Sequence, residues 1–317
     1  MIEVSNIKYK QLELKYPKNL EQWKKPTFAN DELTFKMETN SAFANAIRSC
    51  AMGEIPTKIL NFEFEDVSNG DKFIIIEAIK RTINLIFIDQ SISEDCEFQL
   101  RVINDTGKPL NIYSGDITQT KGPKGIYFNK NIKLFTMSES DVGISIKKIV
   151  VKVGMGKHYA AHNIISFKYK TLTPSLSSNI DYSHNIGSGG KSVLETDFRT
   201  FELGFNLNGI IKPKIFMNLV IDTLEKMINT ALENTTNGSD FVEFHFNTGY
   251  LFYGNLIHKY IYDEDNTIKC LTVNTIHPES EKVSVFVGHI NATKLYENAI
   301  KNIQKDLDKF RKYFDKL

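Results

Sequence analysis

The chain has 317 residues, 41% hydrophobic and 24% charged, so it lies in the globular range, can bury two modest cores or one elaborate one, and is not wholesale disordered. Its 39 Lys and Arg against 38 Asp and Glu leave a formal net charge of +1, which excludes the global basic field that dominates nucleic-acid affinity. Cys50, Cys96 and Cys270 have neither zinc-ligand spacing nor a disulfide framework and predict a reducing compartment. The start Met1-Ile2-Glu3-Val4 is no basic-then-apolar signal, and the apolar run 73–88 is broken by Glu77, Lys80 and Arg81. A soluble intracellular protein without a membrane span is expected.

Leu33, Phe35 and Met37 alternate with polar residues, the period of a half-buried strand. A helix should follow, capped by Asn40 or Ser41, with Phe43, Ile47 and Cys50 or Ala51 on one face until Gly53 and Pro56 stop it. Strands are expected at 59–64, 98–102, 112–117, 132–135 and 144–153, with a helix running into a strand over 74–88. Asn104-Asp105-Thr106-Gly107 and Lys121-Gly122-Pro123-Lys124-Gly125 separate them as turns. Beyond a strand at 164–169, residues 172–196 are rich in Ser, Gly and Asn and read as an exposed loop. A strand at 201–207, a turn at Asn208-Gly209 and a helix over 212–231 come next. Pro213 suits that helix's first turn, and Phe216, Leu219, Val220, Leu224, Met227, Ile228 and Ala231 share one side.

Residues 233–239 read as a short polar linker, after which the order of elements recurs in compact form. A strand is expected at 241–246, a helix at 250–262, and a strand pair at 268–273 and 283–287. In the final helix Tyr296, Ile300, Ile303, Leu307, Phe310, Phe314 and Leu317 are spaced four and three apart, a packing seam. Two similar units are therefore expected, the first (1–60 and 160–233) carrying a β-rich insert (61–159), joined by the linker 234–239 to the second (240–317). Neither unit can bury its apolar seam alone, so the two should pack together as an α+β intramolecular pair. Phe216, Leu219 and Leu224 should meet Ile300, Ile303 and Leu307 in a shared core.

Several local patterns invite chemistry. Asn185 to Ser192 nearly satisfies the phosphate-cradling pattern G-x-x-x-x-G-K-[ST] but lacks its first glycine and a leading strand, so Gly187 to Ser192 reads as a flexible loop. A stand-alone nucleotide-binding enzyme using that loop is the competing reading. Gly154-Met155-Gly156-Lys157 lacks the hydroxyl after the lysine. His158 and His162, four apart, could share a helix face for a metal, but no third ligand is evident. His245, His258, His277 and His289 lie without a nucleophile and base arrangement. Lys301, Lys305, Lys309, Arg311, Lys312 and Lys316 alternate with Asp306, Asp308 and Asp315 and read as a solvated helix face. No catalytic residues, metal or cofactor are expected.

The segment Asn45-Ala46-Ile47-Arg48-Ser49-Cys50-Ala51-Met52-Gly53-Glu54-Ile55-Pro56-Thr57 resembles the first-helix signature of the alpha-like subunits of cellular RNA polymerases: bacterial alpha, archaeal D and the third-largest subunit of polymerase II. Ser49 stands where that signature has a second arginine. Ile83 to Ile88 is similar to the family's Leu-Gly-Leu-Ile-Pro-Leu, with Phe87 in place of the proline. Tyr113 to Ile117 resembles its Tyr-Ser-x-Asp-Leu strand, and Gly154 to Ala161 its Gly-x-Gly-Lys-x-His-Ala-Lys turn. The second half resembles the family's small partner, archaeal L or the eleventh subunit of polymerase II. The matching residues are Gly254-Asn255-Leu256-Ile257, His277-Pro278 and Leu295 to Ile300. A fused pair with a composition rich in Lys, Asn and Ile is most similar to the fused subunit of large cytoplasmic DNA viruses.

The resemblance implies a non-catalytic assembly platform in the cytoplasm that docks two large catalytic subunits and meets DNA only through the complex. It also implies a docking surface at Arg48, Ser49, Glu54 and Thr57, and a single chain rather than a homodimer. The four zinc cysteines of some relatives are absent, so no metal is carried over.

Overall fold

A computed structural model describes residues 2–12, 30–138, 142–163, 165–172, 198–208, 210–247, 251–265, 267–275 and 282–315. Gly187 to Ser192, most of the Ser/Gly-rich stretch, Gly209, His277-Pro278 and Leu317 lie outside the described residues. The first sheet runs β1 (Glu3–Leu12), β2 (Asn30–Asn40), β11 (Phe198–Asn206), β10 (Ser166–Leu172), antiparallel throughout. Leu33, Phe35 and Met37 point one way and are buried, and Phe205, Leu203 and Phe201 stand directly opposite them on β11. The other face alternates charge: Lys36 opposes Glu202, and Glu32 holds Lys168 at 2.8 Å.

Helix α1 (Ser41–Ser49) leaves β2 without a loop. The Asn40 side chain accepts from the Phe43 amide at 2.8 Å, satisfying one of the first-turn donors, and Phe43, Ala44, Ala46 and Ile47 turn inward. Pro213 opens α3 (Pro213–Thr230), where its missing N–H is not needed. That helix buries Phe216, Met217, Val220, Ile221, Leu224 and Ile228.

The second sheet runs β12 (Leu232–Asn237), β13 (Val242–Phe246), β15 (Val283–Gly288), β14 (Cys270–Thr275), again antiparallel. Helix α4 (Leu251–Glu264) follows β13, and α5 (Ala292–Phe314) follows β15. With β1, β2, β11 and β10 matched to β12, β13, β15 and β14, the two strand orders are the same. The helices repeat as well. Counted from their first residues, α1 and α4 are offset by 210, and Phe43, Ala44, Ala46, Ile47, Cys50 and Ala51 then fall on Tyr253, Gly254, Leu256, Ile257, Tyr260 and Ile261, all buried. For α3 and α5 the offset is 79. Phe216, Met217, Val220, Leu224 and Ile228 then fall on Leu295, Tyr296, Ala299, Ile303 and Leu307, also all buried.

Both sets of elements share one core. α1 packs on α4, α3 on α5, and α4 on α5. Phe35 of β2 meets Phe310 and Phe314 of α5 edge-on, with centroids 5.9 and 5.0 Å away. Phe216, Leu224, Ile303 and Leu307 are fully buried in this core, while Leu219 and Ile300 are half-buried against it.

A second core lies between β3 (Pro56–Asn61) and the end of β9 (Val142–Met155). Its sheet runs β3, β9, β5 (Glu97–Asn104), β7 (Ile117–Lys121), with β4 (Val67–Asn69) also on β9. A hairpin-like pair, β6 (Leu110–Tyr113) and β8 (Lys133–Met137), and α2 (Ile76–Asn84) cover Leu60, Phe62, Ile83, Leu100, Ile146 and their neighbours. Gln90 ties this body to the rest. Its side-chain oxygen accepts from the Lys58 amide at 2.8 Å, and its backbone N–H donates to the Ile210 carbonyl at 3.0 Å.

Four expectations need correction. The strand expected at 59–64 begins and ends earlier, at Pro56 and Asn61, because Phe64–Asp66 coil into a 3-10 turn. The strand expected at 112–117 is broken by a 3-10 turn, Ser114–Asp116, in which the Asp116 carboxylate accepts from the Tyr113 amide at 2.8 Å. After α2, Ile88 makes an isolated bridge to Phe128 rather than a strand. The polar linker at 233–239 overlaps β12, an edge strand whose residues are all exposed and whose backbone pairs with β13. Among the described residues no helix is long and apolar enough to cross a membrane.

Candidate docking surface

Arg48 lies in the last turn of α1, half-exposed, and both its Nε and a terminal nitrogen donate to Asn45 Oδ1, at 3.0 and 2.6 Å. The i, i+3 spacing puts both side chains on the outer face of the helix, away from Phe43 and Ile47. Asn45 and Arg48 line an open depression of about 590 Å³ together with Ser41, Ala42, Phe167 and Tyr169 of β10, and Asn255 of α4. Asn255 is the counterpart of Asn45 at the 210-residue offset. The depression therefore straddles the place where α1 meets α4. It offers a guanidinium held in one orientation, amide donors and acceptors, and an exposed Tyr169 ring, a combination suited to a carboxylate-bearing protein surface.

The chain then winds into a π-helical turn, Cys50–Glu54, and enters β3. Ser49 is half-buried at that junction. Glu54 and Thr57, expected on the docking surface, are instead turned inward, 4% and 3% exposed. Glu54 pairs with Lys157 Nζ at 3.1 Å, and the Lys157 amide donates to the Gly53 carbonyl at 3.2 Å. Thr57 Oγ1 donates to the His162 carbonyl at 2.8 Å, and His162 Nδ1 donates back to the Thr57 carbonyl at 2.9 Å. Burial, partly opposed by that backbone bond, holds the His162 imidazole below its ordinary 6.5.

The glycines of Gly154-Met155-Gly156 have a steric reason here. A Cβ on Gly154 would run into the His162 ring, and one on Gly156 into the Asn163 amide and the Met52 carbonyl. His162 thus serves as a clasp between β3 and the 3-10 turn Ala160–His162. Among the described residues no group of three or more His, Cys, Asp or Glu side chains is placed to hold a metal.

The other expected site residues, Phe216, Leu219, Leu224, Ile300, Ile303 and Leu307, lie on α3 and α5 and belong to the core that these helices share. Around their apolar contact run polar ones that sequence reading missed. Arg311 donates to Asp222 at 2.7 Å and to Glu225 at 2.8 Å, so it is not the solvated charge expected of it. Gln304 donates to Asn229 at 2.7 Å. Where α4 crosses α5, Tyr260 donates to buried Asp306 at 2.8 Å. Burial and that carboxylate push the Tyr260 phenol far above its ordinary range, so it remains a donor. The i, i+3 acids of α3 and the lone Arg of α5 were visible as residues. Their meeting required knowing that the two helices pack together.

No protein-family model matches the chain. It is 29% identical over 197 residues to a protein named DNA-directed RNA polymerase RPB3-11 homolog from African swine fever virus (isolate Pig/Kenya/KEN-50/1950), covering 59% of this chain and 53% of that one. The protein of the same name from isolate Tick/Malawi/Lil 20-1/1983 is 29% identical over 205 residues, 62% of this chain and 53% of its own. That from isolate Warthog/Namibia/Wart80/1980 is 30% identical over 132 residues, 39% and 36% respectively. The chain spans about half the length of the first two of these relatives. Over some three-fifths of its own length it is similar to proteins of a large DNA virus that are named as RNA polymerase subunits.

Proposed function

We propose that the chain is an alpha-like subunit of a viral DNA-directed RNA polymerase, acting as a non-catalytic platform on which the two large catalytic subunits assemble. The observation that carries the reading is the repeated unit: two sheets of one strand order, with helices of matching burial, around a single core. In this reading the chain is an intramolecular pseudo-dimer. One unit comprises β1, β2, α1, β10, β11 and α3, the other β12 to β15 with α4 and α5, and the body holding the second core is an insert in the first. The names of the viral relatives support it independently of the geometry.

Covalent joining gives such units an effective concentration on the order of millimolar for a short connection, so the apolar seams meet within one chain before they meet another. The nucleotidyl-transfer metal and its carboxylates then belong to a partner, and contact with DNA is indirect. A site of action in the host cytoplasm accords with the resemblance to large cytoplasmic DNA viruses.

The docking surface in this reading is the depression around Arg48 and Asn45, with Ser49 at its margin. Glu54 and Thr57 act behind it, through Lys157 and His162, as the joint that sets the angle between α1 and the insert. The test is co-expression of the tagged chain with the large subunits. Arg48→Ala should leave the chain folded and weaken their capture by roughly tenfold, the loss expected for a central interface arginine. Unchanged capture would sink the assignment of this surface.

A further inference from the structure

Two units of the same architecture raise a question of choice. A seam that fits its own counterpart should also fit a second copy of itself, and most natural oligomers are built by such self-pairing. The contacts between α3 and α5 answer it. They run antiparallel: Arg311 meets Asp222 and Glu225, while Gln304, two turns earlier on α5, meets Asn229, further along α3. Replacing α3 by another α5 at the 79-residue offset puts Lys301 where Asp222 stands, Gln304 where Glu225 stands and Asp308 where Asn229 stands. Arg311 would then face Lys301, and Gln304 would face Asp308. Asp306 takes no part in this face: two residues from Gln304, it lies on the side of α5 turned to Tyr260 of α4.

We propose that Arg311 makes α5 select α3 and reject a second copy of itself. The proposal rests on the reading of the two units as an intramolecular pair. In the native arrangement Arg311 has two carboxylates beside it. In a self-paired α5 it loses both and faces a lysine instead, Lys301 of the other copy. Like charges placed together against the wrong partner give specificity even where the native ion pair adds little stability. The first unit carries a weaker bar: α3 against α3 would leave Asp222 and Glu225 without Arg311.

The test uses the full chain, followed by light scattering across a concentration series. The variant Arg311→Glu gives residue 311 a partner in Lys301 of another copy and sets it against Asp222 and Glu225 of its own chain. Its mass should climb from one chain toward two as concentration rises, while the wild-type mass stays constant. Adding Asp222→Lys and Glu225→Lys, which restores an opposite-charge pair within the chain, should return the mass to one chain. Should the Arg311→Glu variant not fold, Arg311→Gln, which removes the native attraction without adding a like charge, carries the same expectation at smaller amplitude. A folded variant that stays a single chain at every concentration overturns the selection role and leaves the pseudo-dimer reading intact. A wild-type chain that is itself two chains at every concentration overturns that reading, and the proposal with it.

Discussion

The counterpart helices α1 and α4 bury the same face and then part ways. α4 continues past Tyr260 to Glu264, whereas α1 loosens at Cys50 into the π-helical turn and hands the chain to β3. The face each helix must bury is dictated by the shared core, so it is kept in both. Beyond that face the chain is free to differ, and in the first unit it becomes a joint: Glu54 on Lys157, Thr57 on His162, with Gly154 and Gly156 leaving room. The polar interior differs too. The second unit carries Tyr260 and Asp306 where the first has Cys50 and Met227, and the Cys50 thiol reaches only the Val220 carbonyl at 3.4 Å.

Breaking the shared face should have the largest effect. Ile303 is fully buried, and Ile303→Glu would bring a carboxylate among apolar neighbours at a cost of about 4 kcal/mol or more. The variant should lose the cooperative unfolding of the wild type and fail to assemble, while exposed Lys305→Glu, two residues away, should change neither. Leu224→Glu at the matching position of α3 should behave as Ile303→Glu does. Different outcomes at the two positions would mean that the units do not share one core.

A smaller effect separates the two polar interiors. Tyr260→Phe takes the hydroxyl from a buried carboxylate and should cost about 1–3 kcal/mol in chemical denaturation. Cys50→Ala removes a weak thiol donor and a small apolar volume, and should cost no more than about 1 kcal/mol. Equal losses would show that the asymmetry carries no energy.

The smallest effect is with pH. Burial holds His162 of the first unit and His258 of the second below their ordinary 6.5, so the unfolded chain takes up protons that the folded chain refuses. Their contribution to stability is whole above about pH 6.5 and is lost as the pH falls below it. The thermal midpoint should drop on acidification through that range, and His162→Gln should flatten the drop. A midpoint that rises on acidification would contradict the buried, neutral assignment.

Much of this architecture was legible because it rests on local periodicity. Leu33, Phe35 and Met37 announce β2, and the four-and-three spacing from Tyr296 to Phe314 announces the buried stripe of α5. β12 was not legible. Its residues Leu232 to Asn237 are exposed on both faces, so no alternation marks them, and only backbone pairing to β13 makes a strand. The residues proposed for docking were half legible: a motif identifies Arg48 and Glu54 together, but their opposite orientations depend on Asn45 within the helix and on Lys157, a hundred residues away. Arg311 was misread for the same reason, since Asp222 and Glu225 approach it only when α3 meets α5.

The central claim is that the two units pair within one chain. Light scattering on the purified wild-type chain tests it most directly. A mass near 36.3 kDa that does not change with concentration is the result expected of an internal pair. A stable mass of two chains would show that the seam of α5 is used between molecules, and would contradict the account.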